Sequence, residues 1–166
     1  MRLRGRVRIA WVSESVLDEM LAEAEHRSPR ETGGVLLGYW TKQFDEVVIA
    51  EATGPGTAAV HANDGFTPDS RFDTEEIAHR YRDSGRVHTY LGDWHTHPSG
   101  SSRLSALDRR TLAGIARHEP ARTPAPIMAV LAGDASWTLA VWQLQWGSQW
   151  FGGGWSRRMK IRTYKA

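Results

Sequence analysis

Apolar positions along the chain follow two rhythms, one of period two and one of helical spacing. Val7 to Val12 is β-branched and aromatic and predicts an opening strand. Ser13 then stands as a helix N-cap, and Val16, Leu17, Met20, Leu21 and Ala24 recur at helical spacing among acids as far as His26. That stripe suits a helix lying over a sheet. Arg30-Glu31-Thr32-Gly33-Gly34 interrupts the pattern, and Val35 to Trp40 follows as a nearly continuous apolar run, the signature of a central strand buried on both faces. Gln43 to Ala52, with Val47, Val48 and Ile49, offers it a hairpin partner. Residues 54 to 72 carry Gly54, Pro55, Gly56, Asn63, Gly65 and Pro68 with no clean period, which predicts a long ordered loop. Asp73 to Ser84 predicts a helix with Ile77 and Tyr81 on one side, Arg86 to Trp94 a strand, and Leu104 to Arg117 a third helix. Ile127 to Ala132 and Trp137 to Gln143 predict two strands joined across Gly133 and Asp134. Helices interspersed with strands, some linked by tight turns, predict an α/β fold in which a mixed β-sheet is sandwiched by helices.

The chain has 166 residues, the size of one compact domain, and shows no internal repeat. Its composition changes near the end, so residues 1–145 are read as the domain and 146–166 as a tail rich in Trp and Gly, and basic. Trp146, Trp150, Phe151, Gly152 to Gly154 and Trp155 precede Arg157, Arg158, Lys160, Arg162 and Lys165 without a single acid. The tail is expected to pack back on the domain with its basic end solvated. Stacking on bases is the disfavoured alternative, and the net charge of +2 makes no demand for nucleic acid as a partner. No cysteine is present, which excludes disulfides, thiolate catalysis and thiolate metal sites, and leaves His, Asp and Glu as the available ligands. The missing cysteine, the lack of an apolar run of signal-peptide length and the lack of any 18-residue apolar segment together lead us to expect a soluble cytoplasmic protein without a membrane partner.

His95 and His97 stand at the end of a predicted strand, where side chains two residues apart share a face with Cα atoms roughly 6.8 Å apart. Two imidazoles so placed can converge on one ion. Pro98 and Gly100 stop the strand there and set the pair beside a loop that solvent and substrate reach. Asp108 falls in the first turn of the third predicted helix if Ser105 caps it. Two imidazoles and one carboxylate leave the fourth position of a tetrahedral Zn²⁺ open, as in a catalytic site. Such a site still needs a base, and Glu31, beside the Gly33-Gly34 turn, is the candidate.

Glu31, His95-Thr96-His97-Pro98, Ser105 and Asp108, at these spacings, resemble the signature of the JAMM (MPN+) zinc metalloproteases. Glu31-Thr32-Gly33-Gly34-Val35-Leu36-Leu37-Gly38 and Leu91-Gly92-Asp93-Trp94 are similar to the stand-alone prokaryotic branch of that family, and the likeness spans about residues 7 to 143. The resemblance implies a cytidine-deaminase-like α/β fold. It implies one zinc ion on His95, His97 and Asp108, a water handled by Glu31, and an oxyanion contact from Ser105. As substrate it implies a ubiquitin-like or sulfur-carrier protein with a Gly-Gly C-terminus, released from its conjugates or trimmed from a precursor. The loop 54 to 72, with Phe66, would then flank the groove for the extended substrate. Two rivals remain: a non-catalytic scaffold of the same fold, and a protein of the RadC family, to whose His-Asn-His-Pro-Ser-Gly the run His95 to Gly100 is close. Asp93 shares the face of His95 and is expected to pair with an imidazole or an Arg. His26, His61, His79, His88 and His118 lack ligand-like spacing.

Overall fold

A computed structural model of the chain describes residues 8–41, 45–123, 125–146 and 154–166. In chain order the elements are β1 (Ile9–Ser13), α1 (Glu14–Arg27), β2 (Gly33–Trp40), β3 (Glu46–Ala52), β4 (Val60–Ala62), β5 (Gly65–Thr67), α2 (Ser70–Asp83), β6 (Thr89–Pro98), α3 (Ala106–Arg117), β7 (Ile127–Gly133), β8 (Trp137–Trp146), β9 (Gly154–Arg158) and β10 (Lys160–Tyr164). Val7, Gln43, Trp150, Phe151, Gly152 and Gly153, which the sequence reading used, lie outside the described residues.

Eight strands form one mixed sheet in the order β10-β1-β3-β2-β6-β7-β8-β9. The pairs β2–β3 and β7–β8 are antiparallel, as the tight turns predict, whereas β1–β3 and β6–β7 are parallel. Only Met159 separates the two edge strands, so the sheet curls until its ends meet. There the Met159 amide donates to the Val141 carbonyl and the Lys160 amide to the Arg8 carbonyl, both at 2.8 Å. The Arg8 guanidinium donates across the same seam to Gln143 Oε1 at 2.9 Å. The tail beyond Gln143 thus supplies both edges of the sheet, and its buried Met159 joins the core.

Alternation along β7 sets the layers. Ile127, Ala129 and Leu131 face α1, where Val16, Met20 and Ala24 meet Val12, Ile49 and Trp94 in the main core. Met128 and Val130 face the other way, against Leu104 and Leu112 of the α3 region. Helices therefore cover both faces, as expected. Ser13 precedes α1, but its hydroxyl lies 2.8 Å from that of Ser15 and caps no backbone amide. The segment 54 to 72 is not a plain loop: β4 and β5 pair as a short hairpin, and α2 starts at Ser70 with the Asp69 side chain accepting from the Phe72 amide. Strand β6 runs on through both histidines to Pro98. Among the described residues no helix is long and apolar enough to cross a membrane.

Candidate metal centre

On β6 the period of two sends Trp94 and Thr96 into the core and Asp93, His95 and His97 to the α3 side. The neighbouring strand approaches so closely that it needs glycine. Gly33 faces His95, and a Cβ on Gly33 would stand 2.3 Å from the Trp94 carbonyl oxygen; one on Gly34 would stand 2.2 Å from that of Thr53. Thr96 locks the two strands between the histidines: its amide donates to the Thr32 carbonyl at 2.9 Å, and its hydroxyl oxygen accepts from the Thr32 amide at 3.0 Å. Glu31 is thereby fixed one residue before the lock. From the other side the Glu31 amide donates to the Ala62 carbonyl, and His61 Nδ1 lies 2.8 Å from the Glu31 carbonyl oxygen.

Helix α3 brings the third ligand group. The Ser105 hydroxyl oxygen accepts from the Asp108 amide at 3.0 Å while the Ser105 amide donates to Asp108 Oδ2 at 2.7 Å, a complete capping box. The box holds the Asp108 carboxylate against the imidazoles. His95 Nε2 is 3.2 Å from Asp108 Oδ1, His97 Nε2 is 3.6 Å from Asp108 Oδ2, and the two Nε2 atoms are 2.9 Å apart. A tetrahedral ion with nitrogen and oxygen ligands about 2.0–2.2 Å away keeps those ligands about 3.3–3.6 Å from one another. The spacing of the three donors is close to that. His97 Nδ1 lies 2.8 Å from the Ser101 carbonyl oxygen. A proton on Nδ1 satisfies that carbonyl and leaves the Nε2 lone pair facing the other donors. His95, His97 and Asp108 thus form a group able to hold one metal ion.

A cleft of about 450 Å³ opens over this group, and Glu31, His95, His97, Ser105 and Asp108 all line it. Burial pushes the Glu31 carboxyl above its ordinary value; His97 and His95 oppose the rise, and Asp108 and Asp64 add to it. Burial also acts to raise Asp108, but the hydrogen bond and charge of His95 and the Ser105 amide outweigh it and hold that carboxyl well below the usual range. The Ser105 hydroxyl lines the cleft too, and its side chain adds to the interactions that lower the Asp108 carboxyl.

Further acids line the cleft. Asp93 pairs with neither an imidazole nor an Arg among the described residues; it accepts from the Tyr90 hydroxyl at 2.6 Å. Burial raises its carboxyl, against the Tyr90 bond and the charge of His95. Asp73 of α2 also lines the cleft, its Oδ1 buried without a hydrogen-bond partner, and burial with the charges of Asp93 and Asp69 pushes it up to about 7. Strand alternation alone points to Asp93. Nothing local in the sequence points to Asp73, or to His61 as the brace of Glu31. Phe66 does line the cleft, packed against His61 with ring centroids 5.4 Å apart.

Comparison with known proteins places these features in a wider set. The model of the family described as prokaryotic homologs of the JAB domain matches residues 13–145. A Sinorhizobium fredii protein named probable metalloprotease y4qB is 40% identical over 137 residues, 81% of this chain and 83% of its own length. A CD-NTase/cGAS isopeptidase of Enterobacter hormaechei is 29% identical over 123 residues, 74% of this chain and 67% of its own length. In fold, the chain is similar to the solution structure of protein DSY2949 from Desulfitobacterium hafniense, with a TM-score of 0.68 at 19% identity, over 95% of this chain and 94% of that one.

Proposed function

Because the chain belongs to the family of prokaryotic homologs of the JAB domain, we propose that it is a zinc-dependent isopeptidase or peptidase acting after the C-terminal Gly-Gly of a ubiquitin-like or sulfur-carrier protein. The observation that carries this reading is the convergence of His95, His97 and Asp108 in one cleft with Glu31. The relatives named metalloprotease and isopeptidase support hydrolysis of a protein bond.

His95 Nε2, His97 Nε2 and the Asp108 carboxylate are the groups that would hold the ion. Bound there, zinc supplies Lewis-acid polarisation of a carbonyl and acidifies water held against it. The remaining work falls to the chain. Glu31, raised by burial and so a stronger base than an exposed carboxylate, takes the proton of the attacking water at a carboxylate oxygen and returns it to the leaving amine nitrogen. The Ser105 hydroxyl, which caps α3 at the cleft wall, turns its proton to the oxyanion that forms on the scissile carbonyl. The β4–β5 hairpin and the Thr32–Thr96 lock fix the Glu31 backbone at the cleft, and a Gly-Gly segment, lacking side chains, is the narrowest chain that a substrate can present there.

The test is Glu31→Gln in zinc-loaded protein, with a fusion ending in Gly-Gly linked to a passenger as substrate. The variant should retain one zinc per chain by elemental analysis and lose cleavage. A variant that turns over at the wild-type rate removes Glu31 as the base, and wild-type protein that cleaves no Gly-Gly fusion of either linkage removes the substrate assignment.

A further inference from the structure

The small net charge conceals opposite charge on two helices, α1 and α3, that cover opposite faces of the sheet. On the α1 side that helix carries Glu14, Asp18, Glu19, Glu23 and Glu25. On the opposite side α3 carries Arg109, Arg110 and Arg117, and its one acid is the inward-facing Asp108. Those three arginines line an open groove with Ala113 and Gly114. Among the described residues none of the three makes an ion pair; Arg117 donates from Nε to the Ala113 carbonyl of its own helix.

The positive face continues beyond α3. Trp142 of β8 packs beneath α3, and its cross-strand partner Arg158 on β9 shares that face. Past Met159, Ile161 turns toward the α1 core, so the alternating Lys160 and Arg162 turn away from it. Arg162 lies over the Trp11 ring at 5.3 Å, and neither Lys160 nor Arg158 has an acid partner among the described residues.

This face adjoins the cleft. Leu107 is 61% exposed, lines the cleft wall, and lies between the ligand group Asp108 and the rest of the first turn of α3. An exposed leucine beside arginines is the composition of a protein contact. A single-stranded nucleic-acid site would offer aromatic stacking platforms, and the α3 groove has none.

We propose that the α3 face docks the folded body of the protein substrate and that this body carries an acidic patch there. The inference rests on the function proposed above and narrows its substrate class. With the tail drawn into the cleft, the body it belongs to must rest on a rim. The α3 rim supplies unneutralised cations around an apolar contact, and a complementary negative surface gains both orientation and encounter rate from them.

The experiment uses zinc-loaded Glu31→Gln protein as a non-cleaving binder and two fluorescent probes of one small β-grasp protein with the same Gly-Gly tail. One probe has an acidic surface; in the other those acids are changed to amides. Fluorescence anisotropy should show the acidic probe binding roughly tenfold tighter than the neutral one at about 50 mM salt, the preference shrinking at about 300 mM. Changing Arg109, Arg110 and Arg117 together to Gln, which keeps helix propensity and exposed positions, should abolish the preference. Equal affinity for the two probes, or a preference that survives the triple change, overturns the proposal. So does a DNA oligonucleotide that binds through these arginines more tightly than the acidic probe. Cleavage by the wild-type protein is scored separately: cleavage without charge preference sinks the docking surface alone, and charge-selective binding without cleavage sinks the hydrolytic reading alone.

Discussion

Strand β6 shows Trp94 and Thr96 to the core and His95 and His97 to the cleft, and the two faces are held by different physics. On the core side Trp94 is 2% exposed and its indole N–H donates to the Thr53 carbonyl at 2.9 Å. Its value is the apolar area it removes from water, with the one polar atom satisfied. On the cleft side the imidazoles are largely buried too, but polar contacts rather than apolar packing place them. They stand 2.9 Å apart and near a carboxylate, an arrangement that becomes favourable when a cation shares their lone pairs. One strand therefore separates stability from chemistry by side-chain parity, and mutations on the two faces should fail in different assays.

The largest effect should come from the cleft face. His95→Ala removes one donor of three, so the purified protein should lose its bound metal and its cleavage rate should fall by about 10⁴-fold, some 5.5 kcal/mol of barrier, with a smaller loss of stability in the metal-free form than a core truncation causes. Trp94→Ala should do the reverse, costing about 3–5 kcal/mol of folding stability in urea melts while the folded fraction still binds the metal. If His95→Ala destabilises the metal-free fold as much as Trp94→Ala does, the division between the faces is wrong.

Ser105 straddles the division, as cap and as proposed oxyanion donor. Ser105→Ala should lower kcat by about 10²-fold and cost only about 1 kcal/mol of stability; a stability loss with unchanged kcat would reduce Ser105 to a cap. A pH profile sharpens the role of Glu31. Only its ionised form can accept a proton, and burial raises its folded value, so kcat/KM should rise with pH through a limb above the ordinary carboxylate range.

The smallest effect concerns Asp73. Its native carboxyl, pushed up to about 7, holds its proton where the unfolded chain has released it near 4. The stability it contributes is complete below the unfolded value and is lost as pH rises toward 7. Asp73→Asn should therefore melt higher than the wild type, by a margin that widens from pH 5 to pH 8. A constant margin would mean that Asp73 ionises normally.

Much of the cleft was legible because its signals are local. Period two on a strand put His95 and His97 on one face, and a Ser105-x-x-Asp108 cap aimed a carboxylate at them; neither feature needs a distant contact. The hairpin in residues 54 to 72 was less legible. Its strands are three residues each, too short for a period, and they form where Ala62 meets the Glu31 amide. That the basic tail packs back as edge strands was not legible, because nothing within residues 146–166 reveals that Lys160 to Tyr164 will lie parallel to Ile9 to Ser13.

By itself the sequence determined the candidate donors and the helix that carries Asp108, because each follows from spacing within a few residues, whereas Gly33 and Gly34, read as a turn, open strand β2. The tertiary structure alone decided that the sheet would close on Met159, that His61 would brace Glu31, that Asp73 would lose its solvent, and that acidic α1 and basic α3 would cover opposite faces. Those outcomes depend on which distant strands and helices meet. Pairing between positions as far apart as Arg8 and Gln143 leaves no periodic trace in either segment.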